Sequence, residues 1–283
     1  MSSAIQLSKI ENADSIVKPD EILIKTSAAA VNPLDILLRE LTPKLPCIGS
    51  SLKVAGFDFS GVVIQIGEKF HNKSGTELKV GNKVFGGTFD ATGVHNSFTE
   101  YIGGNTDSFT ALEKVSDTLT MPQAGGLNTV THTAYQCFFG MEDRLEGGNV
   151  LILGAASSVG HMAIQWAKLF GVKNIIVTAS PRSSEAALKA GDTSWIDYTK
   201  GEDNERKQVK ELLKSIGKFD LIVDTVRDLS VYSDLGDNLK TKKEGGDFNI
   251  VNGSLSKSHI SYLSDMIPPL KFIRIVGKSR IGL

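Results

Sequence analysis

Short apolar runs punctuated by glycine turns and amphipathic stretches organise this chain, most clearly between Asn149 and Arg182. Val150-Leu151-Ile152-Leu153 has the length and branched character of a buried parallel strand. A turn of small residues, Gly154 to Gly160, follows it. Apolar residues then recur at Val159, Met162, Ala163, Trp166, Ala167 and Phe170, which is helical spacing. Gly171 ends this helix, and Asn174 to Val177 reads as a second strand. Strand, turn, helix and strand form a βαβ unit with a right-handed crossover. Such a turn presents backbone N–H groups and the positive end of a helix, where a phosphate can sit. The unit points to a dinucleotide site. Its turn departs from G-x-G-x-x-G, because the three positions fall on Ala155, Ser157 and Gly160 and only the last is glycine. Taken alone it reads equally as a nucleotide site or as a small-residue strand-to-helix turn.

Upstream, Glu21 to Ala30 alternates as a strand, Asn32-Pro33 breaks it, and Leu34 to Glu40 has the look of a short helix. Residues 41–56 are loop-like. Asp58 to Gly67 is strand-rich, His71 to Thr76 is a polar hairpin insert, and Val80 to Gly86 holds a turn feeding another strand. Ser97 to Ile102 follows a glycine-rich loop. Short strands and glycine turns of this kind suit a β-barrel-type domain. Met121 to Met141 has longer, helical spacing. Beyond the βαβ unit, Ser183 to Ala190 is helical, Trp195-Ile196 a short strand, Asp203 to Ile216 a charged helix and Phe219 to Thr225 a strand. Asp247 to Val251 and Phe272 to Val276 supply two more. The alternation predicts an α/β, doubly wound parallel sheet. Two domains are expected, 1–118 and 119–283. The charge run from Glu202 to Lys214 reads as a solvated helix face.

Composition narrows the classes. The 283 residues are 41% hydrophobic and 22% charged, with a net charge of −1, which implies neither a nucleic-acid nor a membrane surface. Cys47 and Cys137 cannot build a disulfide framework or a four-cysteine zinc site. The first residues lack a basic and apolar leader, so no signal peptide is expected and the chain reads as cytoplasmic. Gly147 to Ala167 carries no charge, yet its glycines, Asn149, His161 and Gln165 make it a poor hydrocarbon span.

Five further stretches, in order, resemble the medium-chain dehydrogenase/reductase superfamily, specifically its zinc-free quinone oxidoreductase branch of fungal and plant type. They are Ala29-Ala30-Val31-Asn32-Pro33-Leu34-Asp35, Gly56-Phe57-Asp58-Phe59-Ser60-Gly61-Val62-Val63, Lys79-Val80-Gly81-Asn82-Lys83-Val84-Phe85-Gly86, Thr133-Ala134-Tyr135-Gln136 and Ile164-Gln165-Trp166-Ala167-Lys168. The resemblance covers roughly residues 20–280. It implies a GroES-like β-barrel-type N-terminal domain, a Rossmann sheet, and a reductase of quinones or α,β-unsaturated carbonyls. It also implies a homodimer formed through the last sheet strand, Phe272 to Val276. The positions that hold zinc in metal-dependent relatives fall here around Asn32, on Gly56-Phe57-Asp58 and on Thr129. Asn, Phe and Thr are poor zinc ligands, and His71, His95, His132, His161 and His259 are scattered, so no metal is expected.

The resemblance assigns Asn32 to the nicotinamide ribose and the substrate carbonyl, Thr133 to the nicotinamide amide, and Tyr198 to the adenosine side. Leu37 stands where relatives often carry a tyrosine, which removes any proton donor there. Ala155, Ser157, Ser158, Val159 and Gly160 are the candidate phosphate-holding turn. Thr225 and Asn252, at the ends of later strands, complete the cofactor set. NAD sites place an acid about 20 residues past the turn. Here Thr178 to Ser183 holds none, and Ser180 with Arg182 suits a 2′-phosphate, hence NADPH. A second reading, a nucleotide-binding regulatory or interaction protein with little turnover, is favoured by Ser157, Leu37 and Arg227, which replace usual family residues. Relatives continue beyond the strand at Phe272, so the N-terminal domain is expected to be incomplete and the chain truncated at its C-terminus. That chain would bind NADPH while turning quinones over poorly.

Overall fold

The structure, a computed structural model, describes residues 17–36, 56–88, 96–191, 194–226 and 234–251. These residues divide into two compact units with the boundary between Thr129 and Val130.

The first unit is a five-stranded sheet of β1 (Glu21–Ala30), β2 (Asp58–Ile66), β3 (Lys83–Thr88), β4 (Tyr101–Asn105) and β5 (Phe109–Lys114). The order is β4-β1-β2-β3-β5, with every pairing antiparallel. Alternate residues such as Ile22 and Ile24 meet Phe59, Val63, Val84, Ile102, Phe109 and Leu112 in one buried cluster. β1 and β2 lie where the alternation predicts. The strand expected over Ser97–Ile102 begins only at Tyr101, because the Thr99 hydroxyl donates to the Tyr101 carbonyl (2.7 Å) and bends the approach. β5 has no counterpart in the sequence reading. Ala111, Leu112, Glu113 and Lys114 are good helix formers, and only pairing with β3 makes them extended.

The helical spacing over Met121–Met141 is carried by two helices. Helix α1 (Met121–Gly125) is opened by a Thr120–Gln123 capping box and closed at Gly126, and α2 spans Asn128–Gln136. The Ser60 hydroxyl donates to the Met121 carbonyl (2.6 Å) and ties α1 to β2.

The second unit is a parallel sheet of β6 (Asn149–Leu153), β7 (Asn174–Ala179), β8 (Ser194–Asp197), β9 (Leu221–Asp224) and β10 (Asp247–Ile250), in the order β10-β9-β6-β7-β8. Helices α3 (Ser158–Leu169), α4 (Pro181–Ala190) and α5 (Glu202–Ile216) connect them. Both faces are covered, which explains why the strands read as unbroken apolar runs. Val150, Ile152, Ile175, Val177, Leu221 and Val223 pack with α3 and α4 on one face. Leu151, Leu153, Ile176 and Ile222 face Val209 of α5 on the other. The reading of α5 as a solvated charged face holds except at Glu205, which is buried on the inner side of the helix. Asn252 and the strand expected at Phe272–Val276, with the dimer edge it implies, lie outside the described residues. No helix among the described residues is long and apolar enough to cross a membrane.

Leu151 is fully buried in β6 at the centre of the parallel sheet. Leu151→Ala should lower unfolding free energy by about 2–5 kcal/mol. Urea titration checks this, and a loss within about 0.5 kcal/mol, the range of an exposed surface site, would contradict the packing described.

Candidate functional site

In the second unit the strand order reverses between β6 and β9, the switch point at which open α/β sheets bind ligands beyond the strand ends. The turn after β6 lies there. Gly154 takes a φ of +86°, and a Cβ at that position would meet Thr225 Oγ1 at 2.7 Å and run into the Val226 side chain. The turn is latched to β7, since Gly154 N–H donates to Thr178 Oγ1 (2.9 Å) and Ala155 N–H to the Thr178 carbonyl (3.0 Å).

Ser157, standing where a glycine is usual, caps α3. Its Oγ accepts from Gly160 N–H (2.9 Å) and lies 2.7 Å from Thr225 Oγ1. Thr225 spends its single hydroxyl proton on the Leu153 carbonyl (2.7 Å), so Ser157 donates to Thr225. One serine thereby ties the turn to the end of β9. Gly160 is glycine because a Cβ would run into the Gly154 carbonyl oxygen. With Gly160 N–H taken by Ser157, Ser158 and Val159 present first-turn N–H groups that have no intrahelical acceptor, at the positive end of α3.

The candidate adenosine side runs along the ends of β7 and β8. Ser180 follows β7 and opens α4, its N–H donating to Ser183 Oγ (3.2 Å) and its Oγ lying 3.0 Å from the same atom. Arg182 is exposed and forms no ion pair among the described residues. Tyr198 follows β8 and is 49% exposed. Asp197, the acid at the end of β8, is buried and caps the next turn, its Oδ1 receiving Thr199 N–H (3.0 Å) and Thr199 Oγ1 (2.6 Å). It is thus committed to the protein. Lys200 adds a second exposed cation on this rim.

In the first unit Asn32 is part of a buried polar cluster centred on Asp58, whose exposure is 0%. Asp58 Oδ2 receives Asn32 Nδ2 (3.1 Å). Its Oδ1 receives Asn128 Nδ2 (3.1 Å), Thr129 N–H (3.1 Å) and Thr129 Oγ1 (2.7 Å). Asn32 N–H donates in turn to Asp35 Oδ2 (2.6 Å). Burial pushes the Asp35 carboxyl above its ordinary value, and the neighbouring Asp58 charge adds to this, while hydrogen bonds from Asn32 and Gly56 oppose it.

Thr133 lies half-buried in α2, where its carbonyl accepts from the Cys137 thiol at 3.5 Å. The positions of Asn252, Leu37 and Arg227 lie outside the described residues. Among the described residues no group of three or more His, Cys, Asp or Glu side chains could hold a metal ion. The sequence reading named Asp58 only as a non-zinc position and missed its role as an anchor, along with Asn128 and Thr178. The available signal was an acid at the head of the otherwise apolar strand Asp58-Phe59-Ser60-Gly61-Val62-Val63.

Two domain families match the chain in tandem. Residues 18–137 match the alcohol dehydrogenase GroES-like domain, and residues 158–280 match the zinc-binding dehydrogenase domain. The chain belongs to the medium-chain dehydrogenase/reductase superfamily. It is 30% identical over 264 residues to a 2-methylene-furan-3-one reductase from Solanum lycopersicum, a match that covers 89% of this chain and 61% of the relative. It is 32% identical over 195 residues to the trans-enoyl reductase ccsC of Aspergillus clavatus, covering 65% of this chain and 50% of the relative. The chain thus spans about three fifths and half of these two relatives. A solved alcohol dehydrogenase superfamily protein from Novosphingobium aromaticivorans superimposes with a TM-score of 0.68 at 25% identity, covering 89% of this chain and 71% of that one. The GroES-like first unit and Rossmann-type second unit are therefore those of the medium-chain superfamily.

A carboxyl whose folded-state pKa is raised contributes stability below its unfolded pKa and loses it as pH rises through the folded value. Asp35→Asn keeps an acceptor for Asn32 N–H and removes the buried charge. Relative to the parent chain, the variant should gain stability as pH rises from the acid range to neutrality. Urea titrations at several pH values check this, and a variant that loses stability relative to the parent over that window would contradict it.

Proposed function

We propose that this medium-chain dehydrogenase/reductase reduces α,β-unsaturated carbonyls or quinones, with NADPH as the hydride source and no catalytic zinc. The observation that supports this reading is the Asp58 cluster, which joins residues that the resemblance aligns with the zinc-ligand positions of metal-dependent relatives. Zinc does not fit this donor set. Asn32 offers an amide, Phe57 a hydrocarbon ring and Thr129 a hydroxyl, while both oxygens of Asp58 are already taken by four donors.

A dinucleotide does fit the second unit. Ser158 and Val159 N–H groups and the α3 dipole suit the pyrophosphate, and the absence of a side chain at Gly160 lets α3 close on the turn. Arg182, Lys200 and Tyr198 are exposed along the adenosine side, and the acid at the end of β8, Asp197, is committed, which suits a 2′-phosphate better than free ribose hydroxyls. When bound, a reduced nicotinamide supplies a hydride. Without a Lewis acid, this serves only acceptors that are already electrophilic and whose developing oxyanion is delocalised. Asn32 is the side chain assigned to the substrate carbonyl, its Nδ2 bonded to Asp58 and its amide also reaching Asp35, and water delivers the proton. A 2-methylene-furan-3-one and a trans-enoyl group, named for the two curated relatives, are both acceptors of this conjugated kind.

The test is oxidation of NADPH by the full chain in the presence of a small enone and a small quinone. Turnover supports the reading, whereas tight NADPH binding with no turnover of either acceptor would favour a nucleotide-binding regulatory protein. Arg182→Ala should weaken NADPH binding about 10–100-fold, the worth of a charge-assisted hydrogen bond, and leave NADH binding unchanged. Equal affinity of the parent chain for both cofactors would refute the assignment of Arg182.

A further inference from the structure

Asn32 is held at two points, one on its backbone and one on its side chain. Its backbone N–H is fixed by Asp35 Oδ2 at 2.6 Å and its side-chain nitrogen by Asp58 Oδ2 at 3.1 Å. A primary amide can present either its oxygen or its nitrogen to a given neighbour, and the two choices differ by a 180° flip. A carboxylate only accepts, so Asp58 admits the nitrogen and turns the amide oxygen away. The carboxylate cannot swing aside to accommodate the opposite choice. Its other oxygen is fixed by Asn128 Nδ2, Thr129 N–H and Thr129 Oγ1, all three at the start of α2, whose dipole favours a negative charge. Asp58 has no exposed surface, and Asn32 is 7% exposed.

We propose that Asp58 is the positioning residue of the Asn32 site, selecting the amide orientation that commits the nitrogen to the buried carboxylates and turns Oδ1 toward a ligand. This rests on the reading of Asn32 as a substrate- and cofactor-facing group and adds what sets its polarity. The amide oxygen, an acceptor, suits a ribose hydroxyl. An asparagine free to flip would offer each ligand the wrong atom about half the time and would have to be ordered at each encounter. Asp58 thus does in this chain what a metal does for its ligands, holding separate segments to one centre through directed bonds.

Asp58→Asn keeps the shape of the side chain and replaces one acceptor by a donor, which clashes with Asn32 Nδ2 or with the donors of Asn128 and Thr129. In the parent chain, one side-chain Nδ2 proton of Asn32 should resonate downfield of the ordinary range for side-chain amides, as expected for a bond to a carboxylate, and should return to that range in Asp58→Asn. Both protons in the ordinary range in the parent chain would overturn the proposal. In turnover, Asp58→Asn should lower kcat/KM about 10–100-fold, the scale of a misplaced reacting group. That loss should vanish in an Asn32→Ala background, because Asp58 acts through Asn32. Additive losses in the double variant would show a merely structural role and overturn the proposal. If Asp58→Asn does not fold, Thr129→Val removes one of the four donors and runs the same cycle with a smaller loss. A parent chain that oxidises no dinucleotide refutes the oxidoreductase reading, and the Asn32 resonance then decides the amide orientation independently.

Discussion

A carboxylate with no exposed surface and, among the described residues, no cation beside it has to be satisfied by hydrogen bonds, and Asp58 obtains four of them. Its donors come from the Asn32 loop and from the start of α2, while Asp58 itself heads β2. The cost of leaving any one partner unmade in such a site is about 1–3 kcal/mol or more. That asymmetry holds the three segments together more firmly than the modest net worth of each bond would suggest. The strands around them provide the rigid frame, with Ile22, Ile24, Phe59 and Val63 closing the apolar side. The site follows from the satisfaction of one buried charge, and the chemistry proposed for Asn32 depends on it.

The second unit reaches rigidity by a different route. Its central strands are apolar on both faces, and the polar devices gather at the ends of those strands. Thr178 and Thr225 use side-chain hydroxyls on the backbone of the turn, and Ser157 joins the turn to both Gly160 and Thr225. A serine in place of glycine therefore does not abolish the turn's geometry. It takes up the Gly160 N–H and leaves those of Ser158 and Val159 without an intrahelical acceptor.

Much of this was legible in the residue pattern. β1, β2 and the β6–α3–β7 unit lie where alternation, apolar runs and glycines place them, because each is dictated locally. β5 was not legible, since Phe109-Thr110-Ala111-Leu112-Glu113-Lys114 is extended only through its pairing with β3. Glu205 escaped notice in a run of charges because its burial depends on which side of α5 faces the sheet. The candidate site divides in the same way. Ser157, Gly160 and Thr225 announce themselves through spacing around a strand end. The meeting of Asn32, Asp58 and Thr129, separated by 26 and 71 positions, is a tertiary fact, visible in sequence only as three residues that make poor zinc ligands.

The central claim is that hydrogen bonds to Asp58 organise the place that zinc organises in metal-dependent members of the superfamily. Elemental analysis of the full chain, purified with zinc supplied throughout and assayed before and after chelation, tests it directly. The account predicts zinc far below one per chain and dinucleotide oxidation unchanged by the chelator. About one zinc per chain, with activity lost on chelation and restored by zinc, would contradict it.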